Sequence, residues 1–120
     1  MPHSQLSTDE VDGVRIVRLE GELDKLGVDA ARSRLDPLAV GRLVVDLDRV
    51  TFIDSAGLHA LFALARLAGS RGGALAIAVA ESSPAARVIA LVHLAEVIPV
   101  RQTVEAAIAA LQVSVAGDRG

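Results

Sequence analysis

The chain has no cysteine, no tryptophan and no tyrosine, and only two phenylalanines among its 120 residues. Without thiols there is no disulfide framework, no thiolate metal site, no cysteine nucleophile and no thiol redox sensor. Aromatics at 2% leave little surface for base stacking, and a net charge of −3 gives no electrostatic grip on a phosphate backbone. Direct nucleic-acid binding is therefore not expected. The richest apolar stretch, 58–80, is broken by Arg66, Ser70, Arg71 and glycines, so it falls short of the roughly 20 apolar residues that a membrane-spanning helix requires. "MPHSQLSTDE" has no basic segment followed by an apolar one, so no signal peptide is read and a soluble, cytoplasmic protein is expected.

What the chain does have is aliphatic side chains. Hydrophobic residues make up 52% of it, enough to bury a core of Val, Leu, Ile and Ala within one domain spanning 1–120. Asp12-Gly13 between apolar-bearing runs predicts a hairpin, because both residues tolerate positive φ, with strands at about 5–11 and 14–20. A helix fits 27–36, with Val28, Ala31 and Leu35 on one face, and Pro37 ends or kinks it. "LVVDL", 43–47, reads as a strand buried on both faces. A helix over about 56–68 follows, stopped by "GSRGG"; "ALAIAVA", 74–80, reads as a strand, although its alanines suit a helix as well. Ser83-Pro84 predicts a helix start, with Ser83 as N-cap and Val88, Leu91 and Val92 turned inward up to about 93. "VIPV", 97–100, suits an edge strand, and Thr103 caps a last helix carrying Val104, Ala107, Ile108 and Leu111. The domain core is placed at about 5–112, and 113–120 is expected to be a flexible tail. Strands alternating with helices imply an α/β fold: a mostly parallel central sheet with an N-terminal hairpin edge and about four helices. No internal repeat is evident.

Few enzyme signatures occur. There is no GxxxxGK[ST] or GxGxxG, and "GSRGG" joins a helix to a strand, the reverse of a phosphate-cradling loop. His3, His59 and His93 stand alone, none at metal-ligand spacing, so no metal, cofactor or catalytic residue is expected. Ser55 lacks the GxSxG context of a nucleophile elbow. A receiver domain would need an acidic pair after an early strand, where this chain has "GELD".

The informative cluster is Asp54-Ser55-Ala56-Gly57. One reading makes Ser55 the helix N-cap, accepting from the amide of Gly57 or Leu58 and stabilising by about 1 kcal/mol. Capping alone does not call for Asp, Ser and Gly together. Gly57 within the first turn costs roughly 0.5–1 kcal/mol relative to Ala, which is understandable if another chain must approach the backbone there. Asp24, closing "GELD", supplies a second carboxylate that would converge with Asp54 on the Ser55 hydroxyl.

These elements resemble the anti-anti-sigma factor (anti-sigma factor antagonist) family of STAS domains. The likeness runs through the hairpin, "GELD" at 21–24, "VVDLDRVTFIDSAGL" at 44–58, "GG" at 72–73, "SPAARVIAL" at 83–91 and "VIPVRQTVEAAI" at 97–108. It implies that Ser55 is phosphorylated by a partner that is both anti-sigma factor and serine kinase. The unphosphorylated form would bind that partner and free a sigma factor, and a Ser/Thr phosphatase acting on phospho-Ser55 would be a further partner. It also implies that Asp24, Asp54 and Gly57 belong to the binding surface. One departure is His93, where the family usually has Gly before Leu94.

On the helix after Ser55, Leu58, Leu61, Phe62, Leu64, Ala65 and Ala68 share a broad face that should be core. Ala56, Ala60, Ala63 and Leu67 form a second stripe, flanked by His59 and Arg66, which reads either as ordinary helix-favouring surface or as a docking face. Two other functions compete with the leading one. An accessory STAS subunit regulating a membrane transporter would need no phospho-switch, and an enzyme or small-ligand protein would use Asp54 and Ser55 directly.

Overall fold

The computed structural model describes residues 4–118. Strand β1 (Ser4–Val11) turns into β2 (Val14–Leu23) through Asp12 and Gly13, whose φ values of 53° and 77° are the left-handed pair expected of a two-residue hairpin. Then come α1 (Lys25–Leu35), β3 (Arg42–Ile53), α2 (Ser55–Ser70), β4 (Ala74–Ala78), α3 (Pro84–Leu91), β5 (Val100–Arg101) and α4 (Val104–Asp118). Short 3-10 turns at Asp36–Leu38 and Leu94–Glu96 follow α1 and α3.

The sheet order is β1-β2-β3-β4-β5, antiparallel between β1 and β2 and parallel thereafter. Three successive parallel crossovers of one hand put their helices on one face. The packing agrees. Val17, Leu19, Val45, Leu47 and Ile77 meet Ala31 and Leu35 of α1, Leu61, Leu64 and Ala68 of α2, and Ala85 and Ile89 of α3. The other face carries Val14, Ile16, Val44, Ala76 and Ala78 under Ala107, Ile108 and Leu111 of α4. Alternate residues of β2 and β3 thus serve two cores, which is why "LVVDL" shows no alternation.

Several expectations need correction. β2 continues through "GEL" to Leu23, and β3 to Ile53, six residues beyond Leu47. Two bulges in the β2–β3 ladder, between Arg18 and Glu20 and between Gly21 and Glu22, shift the alternation and hide the strand from a period-two reading. Ser83 has extended cap geometry but makes no cap bond. Its hydroxyl donates instead to the carbonyls of Leu47 and Asp48, at 3.4 and 3.3 Å. Leu91 and Val92 point outward, 72% and 43% exposed, and Ile89 and Leu94 take the buried places. The strand expected at 97–100 begins only at Val100, as β5. Helix α4 is capped by Thr103, which accepts from Ala106 N at 3.0 Å, and it runs past 113 to Asp118. The last two residues of the expected tail lie outside the described ones.

His93 adopts φ 54° and ψ 39°. That is the left-handed region in which glycine is favoured and histidine is among the better-tolerated alternatives. The turn at 93 is therefore one that histidine makes without a glycine.

Candidate functional site

The site grows from the paired ends of β2 and β3. Leu23 lies opposite Ile53 in the ladder, and the Asp54 amide donates to the Leu23 carbonyl at 3.5 Å. One residue further, each strand delivers an aspartate in extended conformation, Asp24 and Asp54, and each starts a helix.

Asp54 is the N-cap of α2, contrary to the reading that gave the role to Ser55. Its Oδ1 accepts from Ala56 N at 3.0 Å and Gly57 N at 3.2 Å, while its carbonyl accepts from Leu58 N at 2.9 Å. Asp24 does the same for α1: Oδ1 accepts from Gly27 N at 2.9 Å. Both carboxylates are half-buried and each is held by its own helix. They arrive side by side in register, but the bonds they make run to amides, so neither is bonded to the Ser55 hydroxyl as a base.

Ser55 is the first residue of α2 and is exposed. Its hydroxyl makes no hydrogen bond among the described residues, because the cap beside it has taken the first-turn amides. A nucleophilic oxygen is thus held on a rigid helix end, in water and unengaged. We expect Asp54→Ala to cost about 1–2 kcal/mol in urea unfolding and Ser55→Ala to stay within roughly 0.5 kcal/mol of the native chain. The reverse order would return the cap to Ser55.

Gly57 is buried, and its neighbours explain the glycine without a second chain. A Cβ there would overlap the Leu23 carbonyl oxygen and come within 2.8 Å of Ile53 Cγ1. A contact inside the fold thus accounts for the glycine. Gly27 is built likewise: its Cβ would overlap the Glu22 carbonyl.

Ala56, Ala60 and Ala63 are half-buried, and Leu67 packs against the main core along with Leu58, Phe62 and Ala65. The face of α2 that meets water carries Ser55, His59 and Arg66, and it is polar. Ala63, Arg66, Leu67 and Ser70 do line a shallow groove of about 280 Å³ further along the helix. His59 lies one turn from Ser55 on the same face. Among the described residues no group of His, Cys, Asp or Glu could hold a metal ion, and His3 lies outside them.

The sequence carries a signal for the cap. "LDKLG" and "IDSAG" share an apolar residue, Asp and Gly at the same spacing, and in both the Asp three residues before the Gly is the cap.

A sequence model described as the STAS domain matches residues 5–107. A curated relative, the anti-sigma F factor antagonist of Paenibacillus polymyxa, is 34% identical over 77 residues. The match covers 61% of this chain and 66% of that protein, so the chain spans just under two thirds of its length. Among solved structures, an anti-sigma factor antagonist from Mycobacterium paratuberculosis is similar at TM-score 0.77 and 25% identity, covering 91% of this chain and 94% of the other. The phosphorylated form of the Bacillus cell fate determinant SpoIIAA shares the fold at TM-score 0.59 and 22% identity, covering 87% and 96%.

Proposed function

We propose, from the premise that this chain belongs to the STAS-domain family, that it is an anti-sigma factor antagonist switched at Ser55. The unphosphorylated chain binds an anti-sigma factor that is also a serine kinase, and so frees a sigma factor. The kinase then transfers the γ-phosphoryl group of ATP to Ser55 Oγ, releasing ADP, and the complex dissociates. A phosphatase acting on phospho-Ser55 restores the binding form. The chain itself is the ligand and the substrate, not the enzyme.

The observation that supports this most is the free Ser55 hydroxyl on the exposed first residue of α2. Capping serines turn their oxygen toward backbone amides, whereas here Asp54 has that duty and the serine is left open to a phosphoryl donor. The fold should tolerate the added group, because negative charge is favoured at a helix N-terminus. It adds −1.5 to −2 charges beside Asp54, so the change falls on the docking surface and not on the core. No helix of the described residues is long and apolar enough to cross a membrane.

Incubation with the cognate anti-sigma kinase and ATP should place one phosphate on Ser55, read by peptide mass spectrometry, and Ser55→Ala should abolish it. Stoichiometric labelling of the Ala variant, or none of the native chain, would overturn the reading.

A further inference from the structure

The two strand-to-helix turns at this end of the sheet have one design. Leu23-Asp24-Lys25-Leu26-Gly27 and Ile53-Asp54-Ser55-Ala56-Gly57 match in their apolar, Asp and Gly positions, and Leu23 and Ile53 face each other in the ladder. Each Asp accepts from its Gly amide, and each Gly is closed against a carbonyl of β2. Lys25 therefore holds in α1 the place that Ser55 holds in α2. Both are exposed first helix residues, two positions beyond a register pair on strands roughly 4.8 Å apart.

Helix stability does not account for a lysine there. A cation in the first turn opposes the helix dipole, and no acidic residue accompanies it in that turn. Among the described residues it pairs only along its own helix, Nζ to Asp29 Oδ2 at 3.2 Å, with the Lys25 side chain 82% exposed. Exposed pairs of this kind hold weakly.

We propose that Lys25 is the intramolecular counterion of phospho-Ser55. The inference rests on the reading of Ser55 as a phosphoacceptor and adds what receives the phosphate. The amides of Ala56 and Gly57 are already committed to Asp54, so the phosphoryl oxygens are denied the usual helix-end seat. Asp24 and Asp54 stand at the same edge and sharpen the need for a cation. Lys25 meets that need from the neighbouring helix, on a flexible stem, and leaves Asp29 to do so. Phosphorylation would thereby rearrange charge on α1 as well as on α2, widening the surface over which a partner senses it.

The test uses the full chain with phosphoserine genetically encoded at position 55, so that it needs no kinase. The phosphate is titrated by ³¹P NMR at low salt. A paired phosphate holds its second proton less tightly, so Lys25→Met should raise its pKa by roughly 0.3–0.7 units, the size of an exposed ion pair. Lys25→Arg should leave it low, and Asp29→Asn should keep it at least as low as in the native chain. Circular dichroism should show all variants folded, since the side chains changed are on the surface. Identical titration of the native and Lys25→Met chains would overturn the proposal, as would a shift that follows His59→Gln instead. A failure of kinase labelling would sink the phosphoacceptor reading and leave this titration interpretable, and the converse also holds.

Discussion

Gly57→Ala should destabilise the protein by about 3 kcal/mol, at the upper end of what overpacking a core costs. An exposed glycine inside a helix normally gains roughly 0.5–1 kcal/mol on becoming alanine, so the sign itself is the test. At Gly57 the new methyl would overlap the Leu23 carbonyl and crowd Ile53, and a backbone carbonyl in the ladder cannot swing away as a side chain can. Helix α2 would have to lift from the end of β2, taking Asp54 and Ser55 with it. Gly69 is the internal control. It lies in the same helix, is exposed, and a Cβ there meets nothing within 4 Å. Gly69→Ala should accordingly stabilise by up to about 1 kcal/mol. Urea unfolding of both variants decides the matter. Equal stability of Gly57→Ala and the native chain would mean that α2 is not seated on β2 as described.

The same seat shows what a sequence can and cannot reveal. The Asp12-Gly13 turn was legible because the two residues themselves dictate positive φ. The apolar centres of β3 and β4 were legible because burial on two faces leaves no polar positions. The second half of β3 was not. Asp48, Arg49, Thr51 and Phe52 are exposed there, and the bulges slip the alternation, so the residues look like a loop while the backbone stays in the ladder. Helical spacing centred on Val88 turns Leu91 inward, but the buried face of α3 is that of Ala85 and Ile89; Val92 lies past the last residue of the helix, where the left-handed His93 resets the chain.

At the site, the residue types were legible and the division of labour was not. Asp54 and Ser55 can each cap a helix, and moving the helix start by one residue exchanges their roles. The sequence left that choice open, and the structure settles it through the two bonds to Asp54 Oδ1. Gly57 stands out in the sequence as a glycine within a first helical turn, but the sequence does not show that its close neighbour is β2 of the same chain. A helical wheel with one packed face leaves Leu67 outside, whereas α2 contacts α1 as well as the sheet and Leu67 packs against the main core.

The cap assignment also sharpens the second large effect, that of Ser55→Glu on partner binding. With Asp54 as cap, position 55 is free to vary without loosening the helix, and a carboxylate there lies near the positive end of the dipole, worth roughly 0.3–1 kcal/mol in favour of folding. The glutamate variant should therefore be as stable as the native chain or slightly more so. Its affinity for the proposed anti-sigma partner should nonetheless fall by about 2 kcal/mol or more, near 30-fold, because a desolvated charge would be set beside Asp54 at the proposed docking surface. Ser55→Ala should bind like the native chain. Calorimetric titration of the three proteins against the purified partner reads the affinities, and thermal unfolding of each alone reads the stabilities. If Coulombic opposition drives the loss, raising salt should narrow the gap between Glu and Ala variants, since exposed charges are screened over about 10 Å at 0.1 M. A glutamate variant that binds weakly because it is unfolded would locate the switch in the fold. Equal affinity of the folded Ala and Glu variants would remove charge at Ser55 as the switch altogether.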